Sequence, residues 1–253
     1  MRAPRYYRSK RALERLVRLA GRVPGGAAWS RRAARRLRLY AFDDTAGYFS
    51  QWGQDTFLDQ CVFNGSRGGT FVDIGANDGV TCSNTYFFES ARGWTGLCVE
   101  PQPAMCEKLR RVRRCHCVQG CAGLEDGDVT FNVVEGPSNM LSGRADRFPE
   151  GHERRIAESI RDHGGRMQSI AVPCFEINAL IRRHGITTVD LLSIDTEGGE
   201  ADLIAAVELD SFRVRAIAIE NNYDDRRIED SLAARGFEFA AWMGSDEIYV
   251  RCR

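Results

Sequence analysis

From about Phe42 onward, short runs rich in apolar and β-branched residues alternate with longer stretches whose apolar positions recur at helical spacing. That alternation predicts a mostly parallel sheet covered by helices on both faces, because parallel neighbours need a crossover to return in the same direction. Strands are expected at Thr70–Ile74, Gly96–Glu100, Cys115–Gln119, Val189–Asp195, Arg215–Glu220, Phe237–Trp242 and Glu247–Arg251. Helices are expected at Asp55–Phe63, Thr85–Ser90, Pro103–Arg111, Phe175–His184, Glu200–Val207 and Arg226–Arg235. One interval breaks the rhythm: Glu135 to Gln168 is too long for an ordinary connection and holds a charged helical stretch near Glu153–Asp162.

Residues before this body have another character. Pro24-Gly25-Gly26 separates two helical segments, Tyr7–Ala20 and Trp29–Tyr40. The first carries Leu13, Leu16, Val17 and Ala20 as an apolar stripe beside Arg8, Arg11, Arg15 and Arg18, the pattern of a cationic amphipathic helix. The chain of 253 residues balances Lys+Arg 35 against Asp+Glu 35, yet residues 1–40 hold twelve Arg and one Lys against the single acid Glu14. The organisation expected is a basic helical arm, 1–41, and a single α/β domain, 42–253. Such an arm can meet an anionic surface or dock on the acidic body. Docking or partial disorder is the simpler reading, and no nucleic-acid motif accompanies the charge.

No run approaches the roughly 18 apolar residues of a membrane span, and the start lacks the apolar stretch of a secretory signal. The expected compartment is therefore cytoplasmic. Nine cysteines, an odd number, suit reduced thiols better than a disulfide framework. Cys115-His116-Cys117 with Cys121 lacks a CxxC pair, and its alternation favours core packing over zinc.

The first chemical signal is Thr70-Phe71-Val72-Asp73-Ile74-Gly75-Ala76-Asn77-Asp78-Gly79, a strand that ends in an acid and enters a glycine turn. Gly75 and Gly79 allow positive φ and close backbone approach, so the turn suits a nucleotide-like guest at a strand's carboxyl end. The next strand ends in Glu100, 21 residues beyond Gly79, where a carboxylate can accept both hydroxyls of a ribose. The turn reads GxNxG and lacks the GxGxxG spacing that cradles a diphosphate. Negative charge at Asp73 favours a cationic sulfonium over a diphosphate. S-adenosylmethionine satisfies both features. The competing readings are an NAD-dependent oxidoreductase on a similar sheet and a catalytically silent α/β binding protein.

Three stretches together resemble the FkbM-type family of class I S-adenosylmethionine-dependent methyltransferases: Phe71 to Gly79, Gly96 to Pro101, and Leu192-Ser193-Ile194-Asp195-Thr196-Glu197-Gly198-Gly199-Glu200. Ser50-Gln51-Trp52-Gly53-Gln54-Asp55 and Asp246-Glu247-Ile248-Tyr249 look like flanking motifs of the same family, so the resemblance spans roughly 48–251. It implies a doubly wound, Rossmann-like sheet of seven strands with a reversed last strand. It also implies O-methylation of a hydroxyl on a small molecule, glycan or natural product. Carried onto this chain, Asp73, Gly75 and Asn77 would line the methionine and ribose side, Glu100 would hold the ribose, and Cys121 and Ala122 would flank adenine.

Methyl transfer from a sulfonium needs alignment and a proton acceptor more than covalent help. Asp195, at the end of a hydrophobic strand, and Glu197, in the loop beyond it, are the expected catalytic acids; Glu200 is read as favouring the next helix's N-terminus. Asp195, Glu220 and Asn221 would offer hard oxygen ligands to Mg²⁺, an arrangement that resembles the Asp, Asp, Asn site of catechol O-methyltransferase with Glu for the second Asp. A bound metal would acidify the acceptor hydroxyl; without one, Asp195 or Glu197 would act as base. His116, His152, His163 and His184 are read as structural or solvent-facing. The long interval is expected to act as a lid, with Ser138 and Asn139 as its polar contacts to the acceptor.

Overall fold

The computed structural model describes residues 47–148 and 151–252. The arm expected at 1–41 lies outside the described residues. All seven expected strands are present and form one sheet: β1 Thr70–Ile74, β2 Thr95–Glu100, β3 His116–Gln119, β8 Leu191–Ile194, β9 Ala216–Glu220, β10 Phe237–Met243 and β11 Asp246–Arg251. Their order is β10-β11-β9-β8-β1-β2-β3. β11 runs antiparallel to both β9 and β10, and the pairs from β9 to β3 are parallel. This is the doubly wound sheet with a reversed last strand.

Both faces are apolar because successive residues of a strand point to opposite sides. Val72, Leu97, Leu192 and Ile217 join one core cluster with the helices α5 Ile177–Arg183, α6 Glu200–Ala206 and α7 Arg226–Ala234. Phe71, Cys98, Leu191 and Ala218 join a second with Phe57, Phe88, Trp94 and Leu109, from α1 Gln54–Phe57, α2 Tyr86–Arg92, the residue before β2, and α3 Pro103–Val112. The helix expected at 55–63 is α1 followed by a π-helical turn, Leu58–Val62. α5 begins two residues later than expected because the Glu176 side chain caps it, accepting from the Asn178 and Ala179 N–H groups.

The pattern did not predict a second sheet, β4-β7-β5-β6, made of β4 Cys121–Gly123, β5 Gly127–Glu135, β6 Gly143–Arg144 and β7 Arg166–Glu176. Its β5–β7 hairpin pairs from Gly127 with Cys174 to Glu135 with Arg166. Its own small core comprises Cys121, Phe131, Val133, Val172 and Cys174. The long interval joins β5 to β7 and carries a 3₁₀ turn, Asn139–Leu141, then β6 and α4 His152–His163. The nine cysteines are unpaired. Cys121 belongs to the small core, whereas Cys115 and Cys117 pack against the main sheet. No helix among the described residues is long and apolar enough to cross a membrane.

Candidate functional site

The site grows from the place where three strand tips meet. Gly75 adopts φ 87°, and a Cβ there would sit 1.7 Å from the Asp195 carbonyl oxygen, so only glycine lets β1 and β8 approach this closely. The Gly75 and Ala76 N–H groups both donate to the Val99 carbonyl, at 2.9 and 3.1 Å, and the Asp195 N–H donates to Ile74 at 2.9 Å. The tips of β1, β2 and β8 are thereby tied together at a single level.

Two residues expected at the cofactor, Asp73 and Gly79, do not line the cavity at these tips. Asp73 points away from the cavity at these tips: its carboxylate accepts from Thr85 Oγ1 at 2.5 Å and lies beside Arg113 and Ser193. Burial pushes this carboxyl up and the Arg113 guanidinium opposes the shift. Strand alternation is the reason, since Asp73 faces the α2 side while its neighbour Ile74 faces the cavity, and Gly75, beyond the strand's end, reaches it through the turn. A Cβ at Gly79 would lie 2.6 Å from Leu109, so this glycine admits α3 against the turn and does not line the cavity.

The cavity lies between the strand tips and the second sheet. Gly75, Asn77, Glu100, Cys121, Ala122, Asp195 and Glu197 all line it. Glu100 is buried, with Oε2 accepting from the Asn77 N–H and Oε1 from the Gln102 N–H, both at 2.8 Å. Burial outweighs these two bonds and pushes the carboxyl up to about 7. Gln102, Leu124, Phe131, Met140, Ser142 and Arg144 complete much of the wall and escaped the sequence reading. Most sit on or beside the second sheet, which no periodicity announced.

One carboxylate oxygen each of Asp195 and Glu197, which line this cavity, and of Glu220, which does not, all lie within 4.8 Å of one another. Burial and the neighbouring Glu220 and Glu197 charges hold Asp195 well above the carboxylate range. Glu197, at φ 54°, opens a loop continued by Gly198 and Gly199, both at positive φ. Its carboxyl is pushed up to about 8, chiefly by burial and then by Glu220, against the Arg155 guanidinium 3.4 Å away. Glu220 reaches about 7 through burial and the Asp246 charge, while its hydrogen bond with Asp195 opposes the rise. Asn221, expected as a ligand beside them, is turned to the next loop: Oδ1 accepts from the Asp225 N–H at 2.7 Å and Nδ2 donates to the Asp225 carbonyl at 3.3 Å. Glu200 shapes the loop itself, accepting from the Thr196 and Gly198 N–H groups at 3.1 and 2.8 Å.

The interval from 136 to 165 rests on this region. Asn139 Nδ2 donates to Asn77 Oδ1 at 3.4 Å, and the Asn139 carbonyl accepts from Gln102 Nε2 at 3.3 Å. Asn139 thus meets the turn after β1, and Ser138 bonds within the interval, 2.6 Å from Ser159 Oγ.

Residues 73–239 match the methyltransferase FkbM domain, which is more than half of the chain. No match to a curated protein sequence was found. Among solved structures, a TehB-like SAM-dependent methyltransferase from Corynebacterium glutamicum is similar at 13% identity and TM-score 0.38, over 89% of this chain and 100% of that one. A METTL16 methyltransferase domain is similar at 9% identity and TM-score 0.39, over 77% of this chain and 63% of that one. The N-terminal domain of human METTL16 in complex with SAH gives 10% identity and TM-score 0.37, over 79% and 66%. Matched over this length, the chain belongs to the FkbM family of class I S-adenosylmethionine-dependent methyltransferases.

Proposed function

We propose that the cavity at the tips of β1, β2 and β8 binds S-adenosylmethionine and that the chain methylates a hydroxyl of a small molecule or glycan. The observation carrying this reading is Glu100: a buried carboxylate, steadied by two backbone N–H groups, on a cavity that Asp195 and Glu197 also line. Each Glu100 oxygen keeps lone pairs for a ribose hydroxyl. Gly75 and Asn77 hold the methionine and ribose side, and Cys121 and Ala122, with Leu124 and Phe131 nearby, flank the base. Asp73 and Gly79 support the turn from behind. When bound, the cofactor supplies a methyl group already activated by the sulfonium charge. Asp195 and Glu197 then serve as the proton acceptors; carboxyls raised toward neutral pH are stronger bases than ordinary ones. Calorimetry with S-adenosylhomocysteine tests the assignment, with NAD as the control. Binding of the first and not the second is expected, and silence toward S-adenosylhomocysteine overturns the reading.

A second reading rests on the convergence of Asp195, Glu197 and Glu220. Three carboxylates this close repel one another unless protons or a cation sit among them. Their hard oxygens fit Mg²⁺, with Glu197 replacing Asn221 as the third ligand. Bound there, Mg²⁺ would lower the pKa of an acceptor hydroxyl. Activity lost on chelation and restored by Mg²⁺ supports this; indifference to both removes the metal and leaves the carboxylates as bases.

A further inference from the structure

A second cavity, of about 260 Å³, adjoins the first. The two share Arg147, Glu197, Gly198, Gly199 and Asp202, so the loop after Asp195 together with Arg147 lies at their common border. Beyond it the wall includes Phe148, Glu220 and Tyr223. Tyr223 is 44% exposed, yet its hydroxyl is held from behind. His152, fully buried on α4, lies with Nδ1 3.1 Å from that hydroxyl and Nε2 3.0 Å from the Leu141 carbonyl. A carbonyl only accepts, so Nε2 carries the ring proton and Nδ1 is left to accept from Tyr223. A tilted contact with Phe148, ring centroids 4.4 Å apart and planes at 42°, packs against the imidazole. Arg155 also donates to the phenol oxygen. The Tyr223 proton is thereby committed to His152, and the phenol oxygen of this cavity-lining residue keeps a lone pair with which to accept.

We infer that this second cavity is the acceptor site and takes an uncharged, polyhydroxylated molecule of single-ring size, and that Tyr223, oriented by His152, receives a hydrogen bond from one of its hydroxyls. Size follows from the volume. The absence of negative charge follows from the wall: Arg147 and Arg227, its two cations among the described residues, are already paired with Asp202, and Arg227 also with Asp225. Neither is left for a phosphate or carboxylate, and the same wall carries Asp146, Glu200, Asp202 and Asp225 against those two arginines. His152 is a positioning residue, acting through Tyr223. This inference rests on the methyltransferase reading, because it needs the first cavity to hold the cofactor.

The test uses the full chain saturated with S-adenosylhomocysteine, with methyl α-glucopyranoside and glucose 6-phosphate as probes followed by ligand-observed NMR. The neutral sugar is expected to bind and the phosphate not. Tyr223→Phe should weaken sugar binding about 10-fold, the worth of one hydrogen bond, without altering S-adenosylhomocysteine affinity. His152→Asn places an amide atom near the Nδ1 position and should retain binding; His152→Gln reaches only the Leu141 side and should lose it as Tyr223→Phe does. A merely structural histidine would not separate these two, and thermal unfolding verifies that each variant is folded. Failure of S-adenosylhomocysteine to bind the unmodified chain overturns the methyltransferase reading. With that ligand bound, the inference alone is overturned by an unbound sugar, by tighter binding of the phosphate, or by equal affinity in Tyr223→Phe.

Discussion

Glu100→Gln separates what this carboxylate does for the fold from what it does for a ligand. In the ligand-free chain each oxygen accepts one backbone N–H, so a glutamine sets its NH₂ against the Asn77 or the Gln102 donor. A buried donor left without a partner costs about 1–3 kcal/mol. Against this, a carboxyl pushed up to about 7 by burial resists ionisation, and its neutral replacement removes a penalty of roughly 3 kcal/mol at pH 8. The two effects nearly offset, so thermal stability at pH 8 should change little. Binding should not be spared. Two ribose hydroxyls lose a charged acceptor worth about 1.5–3 kcal/mol each, and even the lower bound predicts a loss of about 100-fold in S-adenosylhomocysteine affinity. Calorimetry and a thermal melt at pH 8 read both quantities. A folded variant that keeps its affinity within about 3-fold would refute the placement of the ribose at Glu100.

Gly75→Ala should prevent stable folding or cost more than about 3 kcal/mol, because the new Cβ falls 1.7 Å from the Asp195 carbonyl oxygen; urea unfolding measures it, and a near-neutral result contradicts the packing at the strand tips. Asp195→Asn should lower turnover by at least about 100-fold while leaving S-adenosylhomocysteine affinity within a few-fold, checked by methyl-transfer kinetics beside calorimetry. Asp73→Asn should act mainly on stability, by about 1–3 kcal/mol, because its carboxylate serves Thr85 and Arg113 and not the cavity; selective loss of ligand affinity would place it back in the site. Stability of the ligand-free chain should fall as pH rises from the ordinary value of 4.5 toward about 7 to 8. Over that window the folded state retains protons on Glu100, Glu220 and Glu197 that the unfolded chain has released, giving a slope of about 1.4 kcal/mol per pH unit for each proton. Melts between pH 4.5 and 8 test the sign, and a rise across the window contradicts the burial of these carboxyls.

The main sheet was legible because its central strands β1, β2, β8 and β9 are buried on both faces and so stand out as apolar runs between polar stretches. The second sheet lacked that signature. β7 opens with four exposed residues, Arg166–Ser169, and β5 with Gly127 and Asp128, both exposed, so neither resembles a buried strand until its second half. What pairs them is the register from Gly127 to Cys174, a contact across the interval that local pattern cannot carry. The same interval concealed the role of His152. Its burial depends on Phe148 and Leu141, residues 4 and 11 positions earlier, and on Tyr223 from the far end of β9.

Strand-end acids were legible as a class, but the direction of each depended on the pleat. Asp73 and Asp195 occupy similar ends of neighbouring strands, and a sequence cannot distinguish them by residue type. Asp73 is still within β1, paired with Ser193, and its alternation sends it to the α2 side. Asp195 lies one residue beyond the end of β8, where its N–H closes the last bond to Ile74 and its side chain joins the cavity. The convergence of Asp195 with Glu197 and Glu220 has a similar origin. Glu197 is turned inward by its positive φ and the two glycines after it, and Glu220 arrives because β9 pairs with β8 in register, Ile219 opposite Ile194. A carboxyl cluster built this way needs the parallel register and the left-handed turn together; altering either disperses the charges, and the elevated pKa values with them.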